Sequence, residues 1–86
     1  MPEISRFYGI IIYLNMDDHN PPHLHAHYAE FEAVFDIRTA QILAGRLPKF
    51  AKKLVITWMK LHAVELMENW QNAVNKERIF KITPLE

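Results

Sequence analysis

Three rhythms of apolar and polar residues follow one another along the chain, and each predicts a different element. Ile10-Ile11-Ile12-Tyr13-Leu14 is a largely β-branched run that is apolar on both faces, which predicts a central strand. A short extended stretch over residues 4–7 precedes it, and Gly9 separates the two. From His23 the rhythm becomes strict alternation, His-Leu-His-Ala-His-Tyr, so a strand there presents His23, His25 and His27 on one face and Leu24, Ala26 and Tyr28 on the other. Phe31-Glu32-Ala33-Val34-Phe35-Asp36-Ile37 alternates in the same way after only Ala29-Glu30, a spacing that predicts a two-residue hairpin. Counting outward from that turn sets Tyr28 opposite Phe31, Ala26 opposite Ala33 and Leu24 opposite Phe35 on the apolar face. On the other face His27 meets Glu32, His25 meets Val34 and His23 meets Asp36.

Residues 15–22, rich in Asp, Asn and Pro, predict a loop, and residues 38–40 a turn. Residues 41–43 predict a short fourth strand, and Gly45-Arg46-Leu47-Pro48 closes the sheet and opens a helix with proline at its start. Beyond Pro48 the period is helical. One half of the wheel holds Phe50, Ala51, Leu54, Val55, Trp58, Met59, Leu61 and Leu66, and the other Lys49, Lys52, Lys53, Thr57 and Lys60. His62, Glu65 and Asn69 fall inside the apolar half at spacings of three and four, one line on the predicted sheet-facing side, where buried polar groups need partners. They either satisfy one another and nearby backbone or face a site. Ile79-Phe80-Lys81-Ile82 can add a last strand. The sum is an α+β fold in a single domain over residues 1–86: an antiparallel β-meander of about four strands packed against one long C-terminal α-helix.

Composition narrows the chemistry. Half of the 86 residues are apolar, enough for a core, and no cysteine is present, so a disulfide framework or thiol chemistry has no basis and any metal must rely on His, Asp and Glu. No apolar stretch approaches the roughly 20 residues of a membrane span, and a cytoplasmic protein is the simplest reading. The net charge is zero but segregated: residues 1–37 hold six acids and one base, whereas residues 38–60 hold six bases and no acid. Arg46, Lys49, Lys52, Lys53 and Lys60 are therefore candidates for holding an anionic partner such as RNA, unless they only keep a helix face soluble. A chain this short is also a natural candidate for self-association.

The candidate chemistry lies in Asp17-Asp18-His19-Asn20-Pro21-Pro22-His23-Leu24-His25-Ala26-His27, which packs four of the five histidines into nine positions. Two readings follow. His19, His23 and His25 can serve as an acid–base set, for example in cleavage of RNA by its own 2′-hydroxyl. Alternatively His19, His23 and His25 with Asp36 can bind a divalent metal. Asp18, His27 and the line His62, Glu65 and Asn69 would support either set. Ser and Cys nucleophiles and a glycine-rich phosphate loop have no support, Thr57 lying among lysines. A third reading is a small protein-binding module whose imidazole face docks a partner.

The opening Pro2-Glu3-Ile4-Ser5-Arg6-Phe7-Tyr8-Gly9-Ile10, the His-Asn-Pro-Pro-His-Leu-His motif at 19–25, Glu32-Ala33-Val34-Phe35-Asp36-Ile37 and the helix residues Trp58, His62, Glu65-Leu66 and Asn69-Trp70 resemble the small bacterial family known as domain of unknown function 4160. The resemblance implies no established activity. It implies a neighbourhood: a small protein partner encoded nearby, and a suspected part in toxin–antitoxin pairs. The chain departs from the family at Ala29-Glu30, where Gly-Gly is common.

Overall fold

The computed structural model describes residues 2–15 and 19–86. Five strands, β1 (Glu3–Phe7), β2 (Ile10–Tyr13), β3 (His23–Tyr28), β4 (Phe31–Asp36) and β5 (Ile42–Arg46), precede two helices, α1 (Lys49–Leu61) and α2 (Ala63–Val74). The strands form one open antiparallel sheet in chain order. The sheet therefore has five strands where about four are predicted, because the opening segment pairs with β2, Phe7 opposite Ile10, through a turn in which Tyr8 (φ 51°) and Gly9 (φ 79°) both take positive φ.

The hairpin of β3 and β4 has the predicted register at all six pairs from His23 opposite Asp36 to Tyr28 opposite Phe31, with Ala29 accepting φ 52° at the turn. β5 runs later than predicted, to Arg46, because a bulge between Val34 and Phe35 carries the pairing past Leu43. Gly45 (φ 73°) is required there: a Cβ would collide with the Glu32 carbonyl oxygen.

Alternation decides which face is covered. Ile10, Ile12, Leu24, Ala26, Ala33 and Phe35 are fully buried, and with Ala51, Val55 and Trp58 of α1 and Leu66 of α2 they build the core. Phe50 packs edge-on against Tyr28 at 5.2 Å and Trp58 against Phe7 at 5.3 Å, so α1 lies over the Leu24/Ala26 side of the sheet. The lysines of α1 are exposed, as predicted, but Phe50 and Leu61 are exposed too, against the wheel. The single long helix is a second correction: at His62 (φ −120°, ψ 28°) the chain leaves helical geometry, ending α1 and capping α2. Its own N–H still bonds the Trp58 and Met59 carbonyls while its carbonyl accepts the Leu66 N–H, so the joint forms with its backbone bonds made. The predicted last strand is instead a tail, tied to β1 by the Ile82 N–H donating to the Ile4 carbonyl at 2.8 Å.

Candidate functional site

The side of the sheet away from the helices is crossed by two rows of side chains that the register sets next to each other. One runs Ile11, His27, Glu32, Arg46 and the other Tyr13, His25, Val34, Ala44. Glu32 is the centre of this face. Its Oε2 lies 3.3 Å from His27 Nε2, its cross-strand neighbour, and 3.5 Å from His25 Nδ1, its diagonal one, so one carboxylate serves two imidazoles. Both contacts are ion-pair approaches rather than aligned hydrogen bonds, and both ring nitrogens are shut off from solvent while half of the Glu32 side chain is exposed. The Tyr13 ring meets His27 edge-on at 4.9 Å. Arg46 turns its guanidinium over the Phe31 ring at 5.4 Å.

His23 stands where this face ends. Its Nδ1 donates to the Pro21 carbonyl at 2.7 Å, which places the lone pair of the neutral ring on Nε2. The same ring is 5.4 Å from the His25 ring and 5.3 Å from the Trp70 ring of α2, so it joins the imidazole face to the helical layer. The structure thus brings together His23, His25 and His27, as the alternation predicts. His19 is exposed in the preceding loop, and Asp18 lies outside the described residues.

Asp36, opposite His23 in register, is occupied elsewhere. Its Oδ1 accepts the backbone N–H groups of Arg38 (2.8 Å) and Thr39 (3.3 Å), and its Oδ2 lies 3.6 Å from the Arg38 guanidinium. Burial alone pushes this carboxyl up, but those two N–H bonds and the Arg38 side chain outweigh it and hold it below the ordinary carboxylate value. Its stabilising contribution is therefore complete above pH 3.8, the ordinary value, and is lost as the pH falls through the lowered one. Asp36→Asn is expected to flatten that acid limb by lowering stability at neutral pH while leaving the acid end close to wild type, as read by urea unfolding across a pH series. An acid limb unchanged by Asp36→Asn would show that the turn does not depend on the carboxylate. Among the described residues no three His, Asp or Glu side chains are gathered where one metal ion could be held, and His19, His23, His25 and Asp36 are all described.

The line on the helices separates into two structural devices. His62 Nδ1 donates to Glu65 Oε1 at 2.6 Å across the helix joint, with Glu65 nearly half exposed and the His62 ring 5.6 Å from Trp58. Asn69 is fully buried and bonds both backbone groups of Phe80. The expectation that the whole line is mostly buried holds for Asn69, in part for His62, and fails for Glu65. The lysines form a separate surface: they point away from the buried side of α1, which itself lies across the sheet from the imidazoles.

Tyr13, Trp70 and the double contact of Glu32 were not among the sequence candidates. Tyr13 was legible in principle, since it shares the parity of Ile11 in β2, but the register between β2 and β3 depends on a loop whose length gives no turn type. Among the described residues, no helix is long and apolar enough to cross a membrane. The family model described as Domain of unknown function (DUF4160) matches residues 9–71, and the chain belongs to that family. No curated protein and no solved structure matches it.

Proposed function

We propose that this member of the DUF4160 family is a toxin–antitoxin-type module that acts on RNA through the open, imidazole-lined face of its sheet. The observation that carries the reading is the set of three histidines on that face, two of them sharing the Glu32 carboxylate and the third held by Pro21. Imidazole is the side chain best suited to take and return protons near neutral pH. In cleavage of RNA by its own 2′-hydroxyl, one imidazole takes the 2′ proton as the O2′–P bond forms. A second gives a proton to O5′ as the P–O5′ bond breaks. His23 and His25, with rings 5.4 Å apart, are the pair suited to those two roles, and His19, exposed in the loop before β3, is the third member of the proposed set. The Tyr13 ring and the faces of the imidazoles supply the stacking surfaces on which single-stranded bases are held. The toxin–antitoxin part of the reading rests on the family resemblance. The basic α1 face, on another side of the molecule, is not part of this site.

The test is induced expression in a bacterial host together with incubation of the purified protein with a labelled single-stranded RNA. Growth arrest and RNA cleavage by the wild type, both relieved by His23→Ala and by His25→Ala in proteins that melt normally, are expected. A harmless wild type that neither binds nor cleaves RNA would remove this reading.

A further inference from the structure

The outer surface of α1 carries two features that its packing on the sheet leaves exposed, although Phe50 touches the Tyr28 ring and Leu54 packs partly against the core. Phe50, Leu54, Thr57 and Leu61 follow one another at spacings of four, three and four residues, the seam of a helix that packs against another helix, and Val64, beyond the joint at His62, adds a further exposed apolar side chain at the start of α2. Phe50, Leu61 and Val64 are 52%, 67% and 83% exposed, while the core side of α1 is already supplied by Ala51, Val55, Trp58 and Met59. Along one flank of the seam stand Lys53 and Lys60, with Lys49 and Lys52 beyond them. Lys49, Lys52, Lys53 and Ile56 line a shallow, largely apolar groove.

We propose that this seam docks an acidic amphipathic helix from a partner protein. The apolar residues call for an apolar stripe, and a flank without a single acid from Arg38 to Lys60 calls for carboxylates beside it. Charge also selects among occupants. A second copy packing seam to seam would bring the rows of Lys53 and Lys60 against each other, a like-charge arrangement that disfavours self-pairing. A nucleic acid would satisfy the lysines but leave Leu61 and Val64 in water. The stretch from Phe50 to Leu61 spans about 16 Å at the rise of an α-helix, so three turns of a partner helix cover it.

The probe is a fluorescein-labelled 21-residue peptide designed as a helix with Leu at the two seam positions of each heptad and Glu beside them, alongside a matched peptide with Lys in place of every Glu. Anisotropy titrations of the purified protein are expected to show saturable binding of the Glu peptide, weakened by added salt, and none of the Lys peptide. Leu61→Glu and the double variant Lys53→Glu/Lys60→Glu should each weaken binding by roughly tenfold or more, the loss of about 1.4 kcal/mol that a factor of ten represents. Because these residues are exposed, circular dichroism and melting of the variants should match the wild type. Three results would overturn the proposal: no saturation by the Glu peptide, equal binding of both peptides, or affinity unchanged by Leu61→Glu. A wild-type dimer in sedimentation that Leu61→Glu converts to monomer would assign the seam to a second copy instead. Binding of anionic vesicles or of RNA that Leu61→Glu abolishes while the Glu peptide stays unbound would assign it to those ligands.

Discussion

Trp58→Ala is expected to lower the stability of the protein by about 3–5 kcal/mol, a large share of a total of roughly 4–13 kcal/mol for a chain of this length. Trp58 is fully buried, with Trp70 the largest such side chain, and it is where three parts of the fold meet. Its ring packs on Phe7 of β1 at 5.3 Å and on His62 at the helix joint at 5.6 Å, and its Nε1 donates to the Thr83 carbonyl of the tail at 2.9 Å. Truncation leaves a cavity, strands that carbonyl and frees the helix joint together. At about 4–8 °C per kcal/mol for a domain of this size, the melting temperature should fall by roughly 12–40 °C. Trp58→Phe keeps one aromatic ring but loses the second ring and the hydrogen bond, so its cost should lie between about 1–2 kcal/mol, that of the bond alone, and that of the full truncation. Urea unfolding followed by circular dichroism measures both. A Trp58→Ala protein within about 1 kcal/mol of the wild type would show that α1 does not pack through this face.

What could be read from the chain and what could not divide by range. The register of β3 and β4 was legible because it is local: two residues, Ala29 and Glu30, join two alternating runs, and a slip by one would send Leu24 and Phe35 into water. The imidazole face came with it. The role of Asp36 was misread because its position opposite His23 says nothing of Arg38 and Thr39, whose N–H groups claim its oxygen in the next turn. The break at His62 was invisible because the wheel runs through it without Gly or Pro, and because what fixes the two helices is distant in sequence: Trp58 reaches Thr83 and Asn69 reaches Phe80. A periodicity argument weighs a helix against one flat neighbour, and here the neighbour includes a tail. Leu61, assigned to the core by angle, is exposed in the last turn before the break at His62.

The layering of the molecule has a functional consequence. Imidazoles and lysines, adjacent readings of one charge-segregated sequence, end on opposite outer surfaces with the sheet and α1 between them. Substitutions on one surface should therefore leave the other's binding unchanged, since sites without shared partners act additively. His23 is the exception. Its ring touches both His25 and Trp70, which makes it the side chain through which a change in α2 would be felt on the imidazole face.

Asn69→Ala carries the second large effect, and its physical basis is a side chain doing the work of a strand. The tail, residues 78–83, does not pair as a ladder. Asn72 Nδ2 donates to the Arg78 carbonyl, Asn69 Nδ2 donates to the Phe80 carbonyl at 2.7 Å, and Asn69 Oδ1 accepts the Phe80 N–H at 2.9 Å. The Asn69 amide presents one donor and one acceptor in a fixed plane, as a peptide unit would, and it is fully buried, so nothing else can replace it without rearrangement. Alanine at this position strands the Phe80 N–H and C=O, both part-buried, and at about 1–3 kcal/mol for each unmet group the expected loss is roughly 2–6 kcal/mol. Asn69→Asp separates this account from simple loss of packing. Its carboxyl, when protonated, reproduces both bonds, and when ionised it faces the Phe80 carbonyl from a buried position. Folding therefore raises its pKa above the unfolded value of about 3.9, and the variant should be close to wild type below that pH and increasingly destabilised above it. That slope is opposite in sign to the one Asp36 gives the wild-type protein. Amide hydrogen exchange at Phe80 provides the local readout, with protection lost in Asn69→Ala before the sheet amides are affected. An Asn69→Ala protein that keeps both its melting temperature and the protected Phe80 amide would mean that the tail is held by Trp58, Asn72 and the Ile4 carbonyl without it.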